Sequence, residues 1–234
     1  MLPPIAAKII SKLPKGASKF VCKSIADYYL SKYASIKING MENLSNVEAP
    51  VIFVGNHLSN SDGLILSKVL KNQDVSFVAG IKLSNDPVTN IGINVVKTIN
   101  IKPNTADKEA LTKIIDTIKK EKKNIFIFPE GTRSRSGEMI EAKKGIILIA
   151  KITKVSIVPI GVSGSEKLLP IDKEGNMARE KFQSAEVRVN IGKPIKLVEK
   201  NKDEDRHEYE KRALYELMHS IALLLPEEYR GVYK

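Results

Sequence analysis

The chain has 234 residues, enough for one domain with a full hydrophobic core. Its net charge of +11 favours an anionic partner: a membrane surface, a charged substrate or nucleic acid. The sequence has no zinc-finger spacing, no basic–aromatic recognition motif and no tryptophan, so we expect no nucleic-acid binding. Cys22 is the single cysteine, which excludes an internal disulfide and indicates a reducing compartment.

Residues 1–35 differ from the rest and predict two amphipathic helices, over residues 4–13 and 15–33. Apolar residues recur at helical spacing and form one stripe, which consists of Leu2, Ile5, Ile9 and Leu13. Basic residues recur at the same spacing and form a second stripe, which consists of Lys8, Lys12, Lys15 and Lys19. The second helix places apolar side chains beside polar ones, namely Val21, Ile25, Tyr28 and Tyr29 beside Lys23 and Asp27. Such helices can lie in a membrane interface, and a helical hairpin packed on the main domain fits the same pattern.

No apolar run in the sequence approaches the ~18 residues that would suggest a membrane-spanning helix. The N-terminus has no continuous apolar core followed by a small-residue cleavage site, so we expect no signal peptide. If the substrate is a lipid, the protein must therefore meet the bilayer from one side.

From residue 36 onward, short apolar runs alternate with amphipathic stretches, which is typical of an α/β domain with a mostly parallel sheet flanked by helices. The predicted strands are 36–39, 51–54, 75–79, 98–101, 124–128, 155–160, which ends at Pro159, and a half-exposed strand at 187–191. The predicted helices are 62–71, 105–121, 141–153 and 204–225. Residues 81–96 are expected to be irregular or helical, and residues 163–183 irregular.

A histidine and an aspartate follow the second predicted strand, in the block Gly55-Asn56-His57-Leu58-Ser59-Asn60-Ser61-Asp62. The turn between His57 and Asp62 can bring their side chains together. A neutral imidazole can take a proton from a hydroxyl, and a carboxylate can orient the ring and stabilise the imidazolium. A loop histidine followed by a helix N-cap has the same spacing, so the pair alone does not decide between the two interpretations.

A second polar block, Phe128-Pro129-Glu130-Gly131-Thr132-Arg133, follows a strand-like run at 124–127. Because sites gather at the carboxyl ends of parallel strands, we expect both blocks at one edge of the sheet. Arg133 is permanently charged and can bind a phosphate through two hydrogen bonds, and Gly131 allows close approach of the loop. The alternative for this block is a surface ion pair between Glu130 and Arg133.

In this order, the two blocks resemble those of the glycerolipid acyltransferases of the 1-acylglycerol-3-phosphate acyltransferase type. That family pairs an Asn-His-x-x-x-x-Asp block with a Phe-Pro-Glu-Gly-Thr-Arg block, and here an apolar stretch ending in Pro159 follows them. The resemblance runs from about Pro50 to about Ile195, which is most of the chain.

This resemblance implies catalysis by His57 with Asp62, and acceptor binding by Glu130, Gly131 and Arg133. Asn56 and Ser59 are interpreted as loop-shaping positions, and the alternative for Ser59 is a hydrogen bond to the substrate. With Thr132 and Lys102, Ser59 is therefore included in the predicted acceptor site. The implied reaction transfers an acyl chain from an acyl thioester to the free hydroxyl of 1-acylglycerol-3-phosphate, giving phosphatidate. The thioester is acyl-CoA or acyl carrier protein, and we expect no other cofactor and no metal. We expect a peripheral (monotopic) enzyme on the cytoplasmic face of an anionic membrane, with residues 1–35 as docking helices and 36–234 as the acyltransferase domain.

Two positions depart from the family pattern. Pro103 stands where many relatives carry an arginine that helps to hold the phosphate, and Lys102 beside it can substitute as a point charge. Gly80 stands where relatives often have a lysine, and Lys82 follows two residues later. The acceptor therefore stays open: glycerol-3-phosphate or another lysolipid is an alternative, as is an inactive membrane-binding relative.

Overall fold

The computed structural model describes residues 10, 13–80, 95–102, 107–172, 174 and 176–234. Within them, a seven-stranded sheet comprises β1 (Ala34–Asn39), β2 (Val51–Gly55), β3 (Val75–Gly80), β4 (Thr98–Ile101), β5 (Asn124–Ile127), β6 (Ser156–Ser163) and β7 (Ala185–Ile191). The α-helices are α1 (Lys15–Tyr33), α2 (Asp62–Val69), α3 (Lys108–Lys119), α4 (Gly145–Thr153), α5 (Ser165–Leu168) and α6 (Arg206–Ala222). The prediction of an α/β fold is confirmed.

The strand order across the sheet is β1-β7-β6-β2-β5-β3-β4, and every neighbouring pair is parallel except β6 with β7. Strands β2 and β5 are buried along their whole length, since helices cover both faces of the sheet. One face packs against α3, α4 and α6, and the other against α1 and α2. Because β6, β2 and β5 are parallel neighbours, their carboxyl ends lie side by side.

Strand β6 does not end at Pro159, as the sequence suggested, but continues to Ser163. The Pro159 carbonyl accepts a hydrogen bond of 2.8 Å from Gly192, just beyond the point where the ladder with β7 begins at Ile160 and Ile191. The side of Pro159 that lacks an amide hydrogen therefore faces irregular chain rather than a strand, and β6 tolerates a proline within a central strand.

Strand β7 lies between β1 and β6 although it comes late in the chain. Its side chains alternate between the core and solvent: Val187, Val189 and Ile191 are buried, and Glu186 and Arg188 are exposed. The half-exposed strand predicted from this alternation is therefore confirmed.

Helix α1 packs through a single face. Its buried side chains recur every fourth residue, at Ser18, Cys22, Ala26 and Leu30. On the opposite side, Phe20 is 72% exposed and Tyr28 is 58% exposed. None of the helices described here is long and apolar enough to cross a bilayer.

Several predictions fall outside the described residues. Most of the first predicted helix lies there, including Lys8 and Lys12. The same holds for most of the piece at 81–96, with Lys82, and for Pro103.

Candidate active site

The loop between β2 and α2 is tied to the neighbouring strand β6 by Asn56. Its side-chain amide donates to the Val162 carbonyl and its side-chain oxygen accepts from the Val162 amide, each at 2.8 Å. At Gly55, an added Cβ would lie 2.9 Å from the Phe126 ring and 3.0 Å from the Ile160 carbonyl oxygen. Glycine therefore lets β2 pass between its two neighbours before the chain turns at the edge of the sheet.

His57 and Asp62 meet at the start of α2. The distance from His57 Nδ1 to Asp62 Oδ2 is 2.8 Å, and the same oxygen accepts the amide hydrogens of Leu58 and Ser59 at 2.8 Å each. Since Oδ2 is already an acceptor, Nδ1 donates to it and the imidazole lone pair is on Nε2. The Asp62 side chain is fully buried, whereas that of His57 is 20% exposed. A buried carboxylate thus orients an accessible base.

The imidazole ring of His57 is stacked on Phe128, with ring centroids 4.1 Å apart. Phe128 in turn contacts Phe126 of β5 at 4.8 Å, and Phe126 stacks on Phe77 of β3 at 5.0 Å. This aromatic column connects the base to the core of the sheet, fixes the plane of the imidazole and covers one of its faces. Sequence reasoning placed Phe128 in the second block but assigned it no role.

Glu130 lies inside the site rather than at its surface, and only 1% of it is exposed. Its Oε1 accepts the His57 amide hydrogen at 3.1 Å and its Oε2 accepts that of Ile140 at 3.4 Å. Burial raises the pKa of Glu130 to about 8; the two amides lower it, and the charge of Asp62 raises it. The expected contact of Glu130 with the acceptor does not fit this burial. Its carboxyl group instead holds the His57 loop to the Arg133 loop.

The raised pKa makes the stability of the protein depend on pH. In the unfolded chain, Glu130 loses its proton as the pH rises above the ordinary pKa of 4.5. In the folded protein, it keeps this proton until the pH reaches about 8. Wild-type stability should therefore fall as the pH rises through this window. We expect Glu130→Gln, which carries no titratable group, to gain melting temperature relative to wild type between about pH 5 and about pH 8.

Thermal denaturation across this pH range measures that difference. Glu138→Gln is a matched control, because Glu138 lies in the same loop and is exposed. A difference between Glu130→Gln and wild type that stays constant with pH would contradict a proton held on Glu130.

Two further residues of the predicted acceptor site are Ser59 and Lys102. Ser59 is fully buried, and its hydroxyl donates to the Leu169 carbonyl at 2.9 Å, so it shapes the loop instead of facing a substrate. Lys102 follows β4 at the sheet edge, and β3 and β5 lie between β4 and β2. Its backbone is therefore about 14 Å from the β2 axis and about 10 Å from that of β5, which precedes the Arg133 loop, given the usual spacing of strands. An acceptor-binding role of Lys102 stays a prediction.

Gly131 and Thr132 are exposed in the second loop, and their acceptor-binding role stays a prediction. Gly131 has a φ of +68°, which is in the left-handed region that glycine adopts without strain. The side chain of Lys143 passes over it, so that an added Cβ would lie 3.1 Å from Lys143 Cδ. The loop is therefore compact at this point, and its backbone is close to a lysine side chain.

Arg133 pairs with a carboxylate that sequence reasoning missed. Its Nη1 lies 2.8 Å from Glu180 Oε1, and Asn60 Nδ2 lies 2.7 Å from Glu180 Oε2. The Glu180 side chain is fully buried and that of Arg133 is 18% exposed. Among the described residues, the carboxylate partner of Arg133 is thus Glu180 and not Glu130. No motif marks Glu180, which follows a 3-10 turn (Met177–Arg179) in the stretch expected to be irregular.

Together these groups can perform acid–base chemistry at His57 and bind an anion beside Arg133. Within the described part of the chain, no group of three or more His, Cys, Asp or Glu side chains could hold a metal ion.

An α/β sheet with a His–Asp pair and a cationic loop at its carboxyl edge is an arrangement that can activate a hydroxyl group beside a bound anion. A family model described as Acyltransferase matches residues 35–163, more than half of the chain. The chain therefore belongs to the acyltransferase family.

The curated relatives that the chain matches include plant enzymes described as 1-acyl-sn-glycerol-3-phosphate acyltransferases. Over 178 residues it is 29% identical to a chloroplastic 1-acyl-sn-glycerol-3-phosphate acyltransferase of Arabidopsis thaliana, covering 75% of this chain and 48% of the relative. A Brassica napus enzyme of the same description is 30% identical, with 75% and 49% covered. The chain thus spans about half the length of these curated relatives.

A solved structure supports the fold. It is the crystal structure of PlsC, the 1-acyl-sn-glycerophosphate acyltransferase of Thermotoga maritima. The TM-score is 0.61 at 23% sequence identity, and the match covers 90% of this chain and 80% of that one.

Proposed function

We propose that the protein transfers an acyl chain from an acyl thioester to the free hydroxyl of 1-acylglycerol-3-phosphate, giving phosphatidate. The observation that carries this proposal is the 2.8 Å contact between His57 and the buried Asp62. The relatives' description as 1-acyl-sn-glycerol-3-phosphate acyltransferases supports the choice of acceptor. The thioester is that of coenzyme A or of an acyl carrier protein.

The geometry of His57 suits direct transfer. As the acceptor oxygen attacks the thioester carbonyl carbon, the hydroxyl proton passes to Nε2, and Asp62 stabilises the imidazolium through Nδ1. Collapse of the tetrahedral intermediate breaks the carbon–sulfur bond. The imidazolium returns the proton to the departing thiolate, so that an ester and a free thiol form and His57 is neutral again.

Purified protein incubated with lysophosphatidate and an acyl thioester tests this function. We expect phosphatidate and free thiol in equal amounts. Release of free fatty acid would indicate a hydrolase, and no turnover would indicate an inactive relative. Offering glycerol-3-phosphate in competition tests the alternative acceptor, and a competition between acyl-CoA and acyl carrier protein identifies the donor.

We propose that Arg133 binds the phosphate of the acceptor, because its guanidinium is partly exposed in the loop beside His57. Removing this charge should weaken binding of the anionic acceptor far more than binding of the acyl donor. We expect Arg133→Ala to raise the KM for lysophosphatidate about tenfold or more, with a change in donor KM of less than about twofold.

Steady-state kinetics with each substrate varied in turn provides the measurement. Arg135→Ala is the matched control, since Arg135 is an exposed arginine two residues further along the same loop. Equal increases in both KM values for Arg133→Ala would assign this arginine a structural role.

The acceptor is a membrane lipid, and helix α1 is the surface proposed to meet the bilayer. Its outward face carries Phe20 and Tyr28 together with exposed lysines, Lys19, Lys23 and Lys32. Aromatic side chains can enter the interface while lysines meet anionic headgroups. The protein would then act as a peripheral enzyme on the cytoplasmic face of its membrane.

Two sets of variants separate the apolar from the electrostatic part of this docking. We expect Lys19→Glu with Lys23→Glu to weaken binding to anionic vesicles mainly at low salt, since each basic residue contributes about 1 kcal/mol that salt screens. Phe20→Ser should weaken binding at high salt as well, because apolar burial is not screened.

Vesicle co-sedimentation over a salt series measures both effects. Leu223→Ser is a control, because Leu223 is a comparably exposed apolar residue at the end of α6. These point variants are preferable to deletion of residues 1–34, which would also remove the buried Leu30 from the core. Unchanged binding of all α1 variants would place the docking surface elsewhere.

A further inference from the structure

We propose that Glu180 is a positioning residue for the acceptor site: its buried carboxylate holds the Arg133 guanidinium in place and fixes it relative to the His57 loop. This inference rests on the proposed function. It concerns a residue outside both sequence blocks, in a stretch that sequence reasoning left without a role.

The contacts of Glu180 reach both loops of the site. One carboxylate oxygen accepts from Arg133 Nη1 at 2.8 Å, and the other accepts from Asn60 Nδ2 at 2.7 Å. Asn60 lies between His57 and Asp62 in the first loop, and Arg133 lies in the second. A single side chain therefore joins the loop that carries the base to the loop that carries the cation.

Burial of the Glu180 carboxylate restricts the position of the Arg133 guanidinium. The Glu180 side chain is fully buried, and a buried carboxylate is tolerated only where a charge and hydrogen bonds compensate the loss of water. Arg133 supplies the charge and Asn60 supplies a further hydrogen bond. Any movement of Arg133 away from Glu180 would leave the carboxylate short of partners, so the guanidinium is confined to one position.

The segment that carries Glu180 is itself held firmly against the protein. The Phe182 ring lies 5.1 Å from that of Tyr29 and 6.2 Å from that of Tyr33, both on α1. The Gln183 amide donates to the Leu168 carbonyl at 2.8 Å. Glu180 therefore approaches the site from a fixed support, which a positioning residue needs.

Arg133 keeps capacity for a ligand in this arrangement. A guanidinium has five hydrogen-bond donors in a rigid plane, and the contact with Glu180 uses Nη1. The side chain remains 18% exposed. An acceptor phosphate can thus meet the outer edge of a guanidinium whose orientation Glu180 has already set, which lowers the entropic cost of binding.

Steady-state kinetics of Glu180 variants tests the proposal. We expect Glu180→Ala to raise the KM for lysophosphatidate about tenfold, with a change in donor KM of less than about twofold. Glu180→Gln keeps a carbonyl acceptor for Arg133 and should restore the acceptor KM to within about threefold of wild type. The matched control is Glu174→Ala, because Glu174 pairs with Arg179 in the same segment but is exposed.

Combining Glu180→Ala with Arg133→Ala gives the decisive readout. If Glu180 acts through Arg133, the Glu180→Ala change should raise the acceptor KM by less than about twofold in the Arg133→Ala background. The same fold increase in both backgrounds, an equal rise in donor KM or a fall in acceptor KM would each overturn the proposal. A fall would mean that the carboxylate competes with the phosphate for Arg133.

Folding and function are controlled separately. Thermal denaturation shows whether Glu180→Ala is folded at the assay temperature. If it is not, Glu180→Asp replaces it in the test with and without Arg133→Ala, because the shorter side chain keeps the charge but withdraws it from Arg133 and should also raise the acceptor KM. If Glu180→Ala in otherwise wild-type protein raises the KM for lysophosphatidate by less than about twofold, the positioning role is also rejected. Wild-type protein that makes no phosphatidate would reject the proposed function instead.

Discussion

His57→Ala should lower the turnover of acyl thioester with lysophosphatidate by about 100- to 10,000-fold, the range for loss of a general base. Without the imidazole, the acceptor hydroxyl loses the group that is proposed to take its proton. Substrate binding should change little, because the proposed phosphate contact is made by Arg133. The fold should survive, since Asp62 Oδ2 keeps the amide hydrogens of Leu58 and Ser59.

The measurements are turnover at saturating substrate and the melting temperature. His207→Ala is a suitable control, because His207 is an exposed residue of α6, a helix that belongs to neither loop of the site. Near-normal turnover of His57→Ala with an intact fold would reject the mechanism proposed here.

Asp62→Asn should lower turnover by roughly 100- to 10,000-fold as well, by removing the charge that orients His57 and stabilises its imidazolium. An asparagine also cannot reproduce the hydrogen bonds of Asp62 Oδ2 without burying part of its own amide unpaired. We therefore expect a loss of stability of about 1–3 kcal/mol in addition to the kinetic effect.

The double variant distinguishes a role through His57 from an independent one. If Asp62 acts through His57, then Asp62→Asn added to His57→Ala should reduce turnover little further. Chemical denaturation of the same proteins reports the stability loss separately. Independent, multiplicative losses in turnover would show that Asp62 contributes to the reaction by another route.

Much of the sheet could be predicted from local pattern. The unbroken apolar run before His57 indicates a strand that is buried on both faces. The alternation of apolar and polar residues in β7 indicates a strand that is buried on one face. Helix starts were less accurate: the helix expected from about 105 begins at Lys108, because the Asp107 side chain accepts from the Ala110 amide at 3.0 Å. The predicted end of β6 at Pro159 was wrong. A proline interrupts a strand only where its nitrogen faces a neighbouring strand that needs a hydrogen-bond donor.

The sequence by itself placed His57 and Asp62 five residues apart across a short turn, so that their side chains can meet, and the 2.8 Å contact confirms that they do. It did not determine the partner of Arg133. Glu180 is 47 residues from Arg133 and 120 from Asn60, and these contacts exist because the β2 and β5 loops emerge side by side.

Burial of Glu130 was likewise decided by the tertiary structure, which closes the chain around a carboxyl group that the sequence alone presents as charged and exposed. The spacing of residues in the sequence indicates which side chains are neighbours within one helix, strand or turn. Strand order and the packing of distant loops decide which charged groups are desolvated and which of them pair.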